Sequence, residues 1–190
     1  MPKWFVYATI SMLIWAAWSL LSTLVSRDIP GAMIQIVSTA GLVPVAVALL
    51  FSRNLRKFNH LRKGLVLASS TGLMAGMGNV LLYDALGHNG PASLVFPIIS
   101  LAPLVPVIAA PFLFKERIRG IQVLGIAVAL IAIVLLNATP SWQHEGGFAI
   151  GSTWMMYTLA SLVLFGLTFL TQKGATYFIS EELSTVAFTC

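Results

Sequence analysis

Apolar residues run along this chain in six blocks, each about twenty or more residues long, with polar and charged positions gathered in short intervals between them. A helix of about 20 apolar residues spans the roughly 30 Å hydrocarbon core of a bilayer. The pattern therefore predicts transmembrane helices over 4–26, 31–52, 64–86, 91–114, 120–139 and 148–172, and a further apolar block opens at Leu183. The first block follows Lys3 as in a signal peptide, but its length of about 23 residues exceeds the 7–15 of a signal-peptide core. Trp4, Tyr7, Trp154 and Tyr157 fall near span ends, where aromatic rings sit at headgroup level. The expected fold class is an all-α polytopic membrane protein, a helical bundle with six transmembrane helices and the start of a seventh.

Composition changes this picture little. Hydrophobic residues make up 58% of the 190 and charged residues 9%, which excludes an ordinary soluble enzyme or nucleic-acid binder. The formal charge of +5 sits in loops between spans and reads as a topology signal. Lys3, Arg53, Arg56, Lys57, Arg62, Lys63, Lys115, Arg117, Arg119 and Lys173 share one face, against Arg27 alone on the other. This positive-inside bias predicts a cytoplasmic N-terminus in the cytoplasmic (inner) membrane. Cys190 is the single cysteine, so neither an intramolecular disulfide nor a cysteine metal cluster can form.

A shift of 150 residues lays the sixth block on the first without a gap, matching Trp4 with Trp154, Tyr7 with Tyr157, Ser11 with Ser161, Leu20 with Leu170 and Thr39 with Thr189. Apolar helices reach such similarity by chance, so the topology carries more weight than the identities. Five spans precede the second copy, so it enters the membrane from the opposite side, as in the inverted repeats of secondary transporters. The organisation expected is a first five-helix repeat over 1–139, an outward-facing linker over 140–147, and an incomplete second, inverted repeat over 148–190. A unit of about 150 residues implies roughly 300 for a complete pair. The chain is thus expected to continue beyond Cys190, or, if natively this short, to act as a homodimer.

The stretch from Tyr83 to Asn137 holds an ordered set of features. Tyr83–Leu86 closes the third span, and Gly90–Ser93 forms a small-residue turn. Leu101–Leu104 lies in a proline-rich fourth span, Glu116–Arg117 follows on the cytoplasmic face, and Gly120 and Gly125 mark the fifth. In this order the set resembles the EamA-type members of the drug/metabolite transporter superfamily. The resemblance implies two inverted five-helix repeats, ten spans in all, and transport of small metabolites, often amino acids or related compounds, usually outward.

Four groups of residues are candidates for a substrate path. Pro97, Pro103, Pro106 and Pro111 each lack an N–H and crowd the carbonyl four residues back, so Ser93, Ile99, Ala102 and Val107 are expected to lose their helical partners. Freed carbonyls are tolerated at membrane depth where protein or a water-filled cavity meets them. This predicts a kinked fourth helix lining a path, with Pro97, Ser100 and Pro103 on it; the alternative is that the prolines only shape packing. In the first span Ser11, Trp15, Trp18 and Ser22 share one helical face, and their counterparts in the sixth are Ser161, Phe165, Thr168 and Gln172. Paired faces of this kind suit a pocket at a pseudo-two-fold interface, or ordinary interhelical bonding. In the third span Ala68, Gly72 and Gly76 make a seam for close packing, and the face continues through Asn79 and Tyr83. Asn79 lies deep enough to need a partner, either another helix or a substrate.

Asp84 lies near the outer end of a span, with His88 four residues on; it either couples transport to protons or pairs locally. Lys173 reads as a snorkelling anchor. The spacing of His88, His144 and Glu145 matches no metal motif, and His60 is a loop residue, so neither metal nor cofactor is expected. The leading function is a secondary transporter of a small metabolite by alternating access, probing a path between the bilayer's two faces, with lipid and a small-molecule substrate as its partners and no nucleic acid. The alternatives are a non-transporting membrane subunit or assembly factor, and an intramembrane enzyme. An enzyme needs paired acids, a nucleophile with its base, or metal ligands at one depth, and the deep spans lack Asp and Glu while the histidines lie in loops.

Overall fold

The computed structural model describes residues 3–51, 59–113, 120–137 and 151–189. These form α1 (Lys3–Val25), α2 (Gly31–Leu50), α3 (Leu61–Gly87), α4 (Ala92–Ile99), α5 (Leu104–Leu113), α6 (Gly120–Asn137), α7 (Thr153–Thr176) and α8 (Glu181–Thr189). Five stretches are long and apolar enough to cross a membrane: Phe5–Val25, Gly31–Leu50, Leu61–Gly87, Ala92–Ala109 and Thr153–Thr176. At the fifth expected position α6 supplies 18 residues. The expected linker and the loop bearing Lys115, Glu116, Arg117 and Arg119 lie outside the described residues, as do His144 and Glu145.

The fourth expected span is not one kinked helix but two, α4 and α5, separated by the turn Ser100–Pro103. The proline argument holds at the break, and of its two alternatives for the freed carbonyls the protein's own N–H groups meet those of Ile99 and Ala102. Pro103 and Pro106 deny Ile99 and Ala102 their usual donors. Each carbonyl instead accepts from three residues on, Ala102 N–H to Ile99 O at 2.9 Å and Val105 N–H to Ala102 O at 3.1 Å. The Ser100 hydroxyl donates to Pro97 O at 2.6 Å. A tighter local turn thus meets these groups.

The molecule is organised around α3 and α7, which pack antiparallel. Ser161 Oγ donates to Gly78 O at 2.7 Å, and Thr71 Oγ1 donates to Thr171 Oγ1 at 2.8 Å. Further along the pair, Ala68 and Ala175 are both fully buried in a cluster with Ile179. The larger core lies at the other end, where Leu82, Tyr83 and Leu86 of α3 meet Val95 and Ile98 of α4 and Trp154 and Met155 of α7. By contrast α1 runs parallel to α3, with Trp18 beside Tyr83 and the Ser26 carbonyl close against Gly87. Relative to α3, then, α1 and α7 run in opposite directions.

Small residues set these approaches. A Cβ on Gly72 would strike the carbonyl oxygen of Phe188 in α8, and one on Gly166 the side chain of Val105 in α5. The predicted seam of Ala68 and Gly72 is therefore a packing surface. Between α3 and α4 the chain turns in four residues: Asn89 takes a left-handed φ of 62°, and Gly90 N–H donates back to Ala85 O at 2.9 Å. At the start of α8, Leu183 N–H donates to Ser180 Oγ at 3.2 Å, with Glu181 and Glu182 in the first turn, where acids favour a helix N-terminus.

Membrane hydrogen bonds of the Ser161 type are worth about 0.6 kcal/mol on average. Ser161→Ala is expected to lose about that much, because Gly78 O sits inside a helix and keeps its main-chain donor. Thermal unfolding in detergent measures it; a loss above about 2 kcal/mol, beyond the largest such bond measured, contradicts this account.

Candidate functional site

Three aromatic rings from three helices meet in the half of the bundle toward the α3–α4 turn. Trp18 of α1 lies 6.3 Å from Tyr83 of α3 and 6.2 Å from Phe96 of α4, edge-on to Phe96 at 76°. Tyr83 is buried, while Trp18 and Phe96 are half-buried around it. Ser22 Oγ is buried and donates to Trp18 O at 2.8 Å, one turn along α1. Next to this group the His88 ring stands 5.2 Å from that of Tyr157.

One turn below Tyr83 lies Asn79, half-buried and with no side-chain hydrogen bond among the described residues. Its amide is not among the fully enclosed polar groups. A further turn down is Gly76, where an added Cβ would have one neighbour, Gln35 Nε2 of α2, at 3.7 Å. Gln35 Nε2 donates to Thr39 Oγ1 at 3.0 Å, and Gln35 Oε1 is enclosed with no partner. The absence of a side chain at Gly76 thus leaves room between two amides on facing helices. An aromatic cluster near the Asn79 amide and the free Gln35 Oε1 can hold a small molecule by stacking and by one or two directional hydrogen bonds.

The structure brings together part of the expected constellation. Trp18 and Tyr83 come together, with Asn79 one turn along α3 to one side of this level, Ser22 one turn along α1 to the other, and Pro97 next to Phe96 in α4. Ser11 and Trp15 continue the same face of α1 but are exposed, Trp15 at 66%, although its ring stays 5.6 Å from Trp18. Ser100 and Pro103 are exposed in the turn between α4 and α5. The α7 face points at α3, where it is used in packing: Phe165 covers Gly78, and Thr168 Oγ1 donates to its own helix at Leu164 O. Gln172 has an enclosed Oε1 without a partner, on the turn level with the Thr71–Thr171 pair.

Asp84, next to Tyr83 in sequence, turns toward α2. One carboxylate oxygen lies 2.6 Å from the place of a Cβ on Gly31, so the acid faces the first turn of α2. That end has Pro30 as its cap, which makes no side-chain bond, and a negative group at a helix N-terminus is stabilising. His88 does not meet the carboxylate; its Nδ1 donates to the Asp84 main-chain oxygen at 2.8 Å. No three metal-binding side chains cluster among the described residues.

Gln35 was missed in the sequence because attention went to polar residues repeated between spans or lying on a glycine face. Its signal was available: it is the one amide in the second apolar block.

No solved structure matches the chain. A protein of Methanocaldococcus jannaschii, Uncharacterized protein MJ1333.1, is 30% identical over 102 residues, covering 54% of this chain and 72% of that one. Since 102 residues are 72% of it, that relative is about 140 residues long. The model of the EamA-like transporter family matches residues 2–138. The ordered features from Tyr83 onward, the apolar helices and this match agree: the chain belongs to the EamA-like transporter family, within the drug/metabolite transporter superfamily.

Proposed function

We propose that the chain forms part of a secondary transporter that exports a small polar or amphipathic metabolite, such as an amino acid or related compound, by alternating access across the cytoplasmic membrane. The observation that carries this reading is the half-buried Asn79 amide, without a hydrogen-bond partner among the described residues, one turn along α3 from the Trp18–Tyr83–Phe96 rings. Within a membrane, polar groups without partners mark a substrate or water pathway by default. The site holds rings and amides and no charge of its own, which favours a substrate without strong net charge.

Two observations support the inverted-repeat organisation, and the positive-inside charge bias supports an N-terminus inside. The family match over 2–138 coincides with the proposed first repeat, 1–139. The opposite directions of α1 and α7 along α3 are those an inverted pair requires. Asp84 remains the candidate for proton coupling, although its place at the α2 N-terminus gives it a structural role that needs none.

The test is the extracellular metabolite profile of cells expressing the native gene, compared with cells lacking it. A few compounds are expected to accumulate outside. An unchanged profile over a broad panel, with the protein verified in the membrane, contradicts the reading. Gln35→Leu sharpens it: the substitution removes an enclosed Oε1 that has no partner together with one hydrogen bond to Thr39, two opposing effects of similar size, so the unfolding temperature is expected to change little. Transport is expected to fall in the same variant. A lower unfolding temperature means that Gln35 is a packing residue.

A further inference from the structure

At the basic end of the bundle, away from the aromatic site, Arg62, Lys63, Val66 and Leu67 of α3 and Phe178 of the α7–α8 turn line a hollow of about 480 Å³. We propose that this hollow seats an anionic phospholipid, with its phosphate on Arg62 and Lys63 and an acyl chain running up α3. The two cations are exposed and make no ion pair among the described residues. They stand in the first turn of α3, where the helix dipole disfavours positive charge, so they do not serve the helix itself. The floor of the hollow is apolar. Its far wall is fixed, because Phe178 O accepts from Asn59 N–H at 2.8 Å and the Phe178 ring stands 6.0 Å from His60.

The exposed face of α3 continues the seat. Val66, Leu73 and Met77 fall at i, i+7 and i+11 and are 60%, 71% and 60% exposed. From Val66 to Met77 this stripe rises about 16 Å, close to the roughly 15 Å of one hydrocarbon leaflet. Cations at the interface with an apolar track one leaflet long complement a lipid that carries a negative headgroup. A general preference for positive loops on the inner face accounts for the charges but not for the hollow beside them.

The test is native mass spectrometry of the purified protein, titrated with phosphatidylglycerol and, separately, phosphatidylcholine. R62Q/K63Q is expected to bind phosphatidylglycerol roughly thirtyfold more weakly, from the loss of two interfacial charges. The control R56Q/K57Q, an equal loss of charge six residues earlier in the sequence, is expected to retain near-native binding. V66W, which fills the hollow without altering charge, is expected to weaken phosphatidylglycerol binding at least tenfold. Millimolar glycerophosphate is expected not to displace the lipid. Unfolding temperatures without lipid check that each variant is folded; L67W replaces V66W if that variant is not. Equal losses in the two basic pairs, native binding by the filled hollow, displacement by glycerophosphate, or equal binding of both lipids each overturns the proposal.

Discussion

Replacing Asn79 by Ala is expected to lower transport roughly ten- to a hundredfold while leaving the protein in the membrane. The amide is half-buried, has no partner among the described residues, and lies one turn below Tyr83. A hydrogen bond to an ionised group of a substrate is worth about 1.5–3 kcal/mol, and one to a neutral group about 1 kcal/mol. The larger range gives the stated fold-change, and an effect below tenfold points to a neutral substrate group. Because Asn79 bonds to no other helix, its removal is expected to shift the unfolding temperature little. Trp18→Ala removes a ring that contacts both Tyr83 and Phe96, so it is expected to reduce transport with a measurable loss of stability. Export assays paired with thermal unfolding separate the two variants. Full export by Asn79→Ala removes this residue from the path and takes away the observation on which the site rests.

The second large effect is expected at Gly31. Its Cβ position lies 2.6 Å from Asp84 Oδ1, 2.7 Å from Val80 O and 3.1 Å from Tyr83 Cβ. The carboxylate can swing aside, but the Val80 carbonyl belongs to the backbone of α3 and cannot. Gly31→Leu therefore forces the first turn of α2 away from α3, at a cost typical of overpacking, about 1–3 kcal/mol. It is also expected to impair transport, since Tyr83 and Gln35 lose their common setting. Gly41, nearly three turns further along the same helix, has nothing within 4 Å of its Cβ position. Gly41→Ala is expected to be neutral or stabilising by up to about 1 kcal/mol through helix propensity. Unfolding in detergent measures both; equal responses at the two positions contradict the close packing of α2 on α3.

Individual elements show how far the sequence reaches. The long apolar helices and the break near Pro103 were legible because both depend on local chemistry: apolar length matched to a bilayer, and a ring in place of an N–H. Asn79 and Tyr83 were legible as a face because helical periodicity is local. The fate of the Ile99 and Ala102 carbonyls was not, since a tighter turn and a hydrated cavity satisfy them equally well from the chain's point of view. Nor could the sequence rank Ser161 against Ser11. A shift of 150 residues lays one on the other, yet the first is fully buried against Gly78 and the second exposed.

By itself the sequence determined that this chain is a polytopic helical membrane protein of the EamA-like family, because membrane insertion and family signature are written in residue order. Only the tertiary structure decided that α3 and α7 form the centre, that Trp18, Tyr83 and Phe96 meet, and that Gln35 faces Gly76. The physical reason is that an apolar helix can turn any face toward lipid at nearly equal cost. Which face turns inward is settled by close contacts between distant segments, such as Gly31 on Val80 and Gly72 on Phe188.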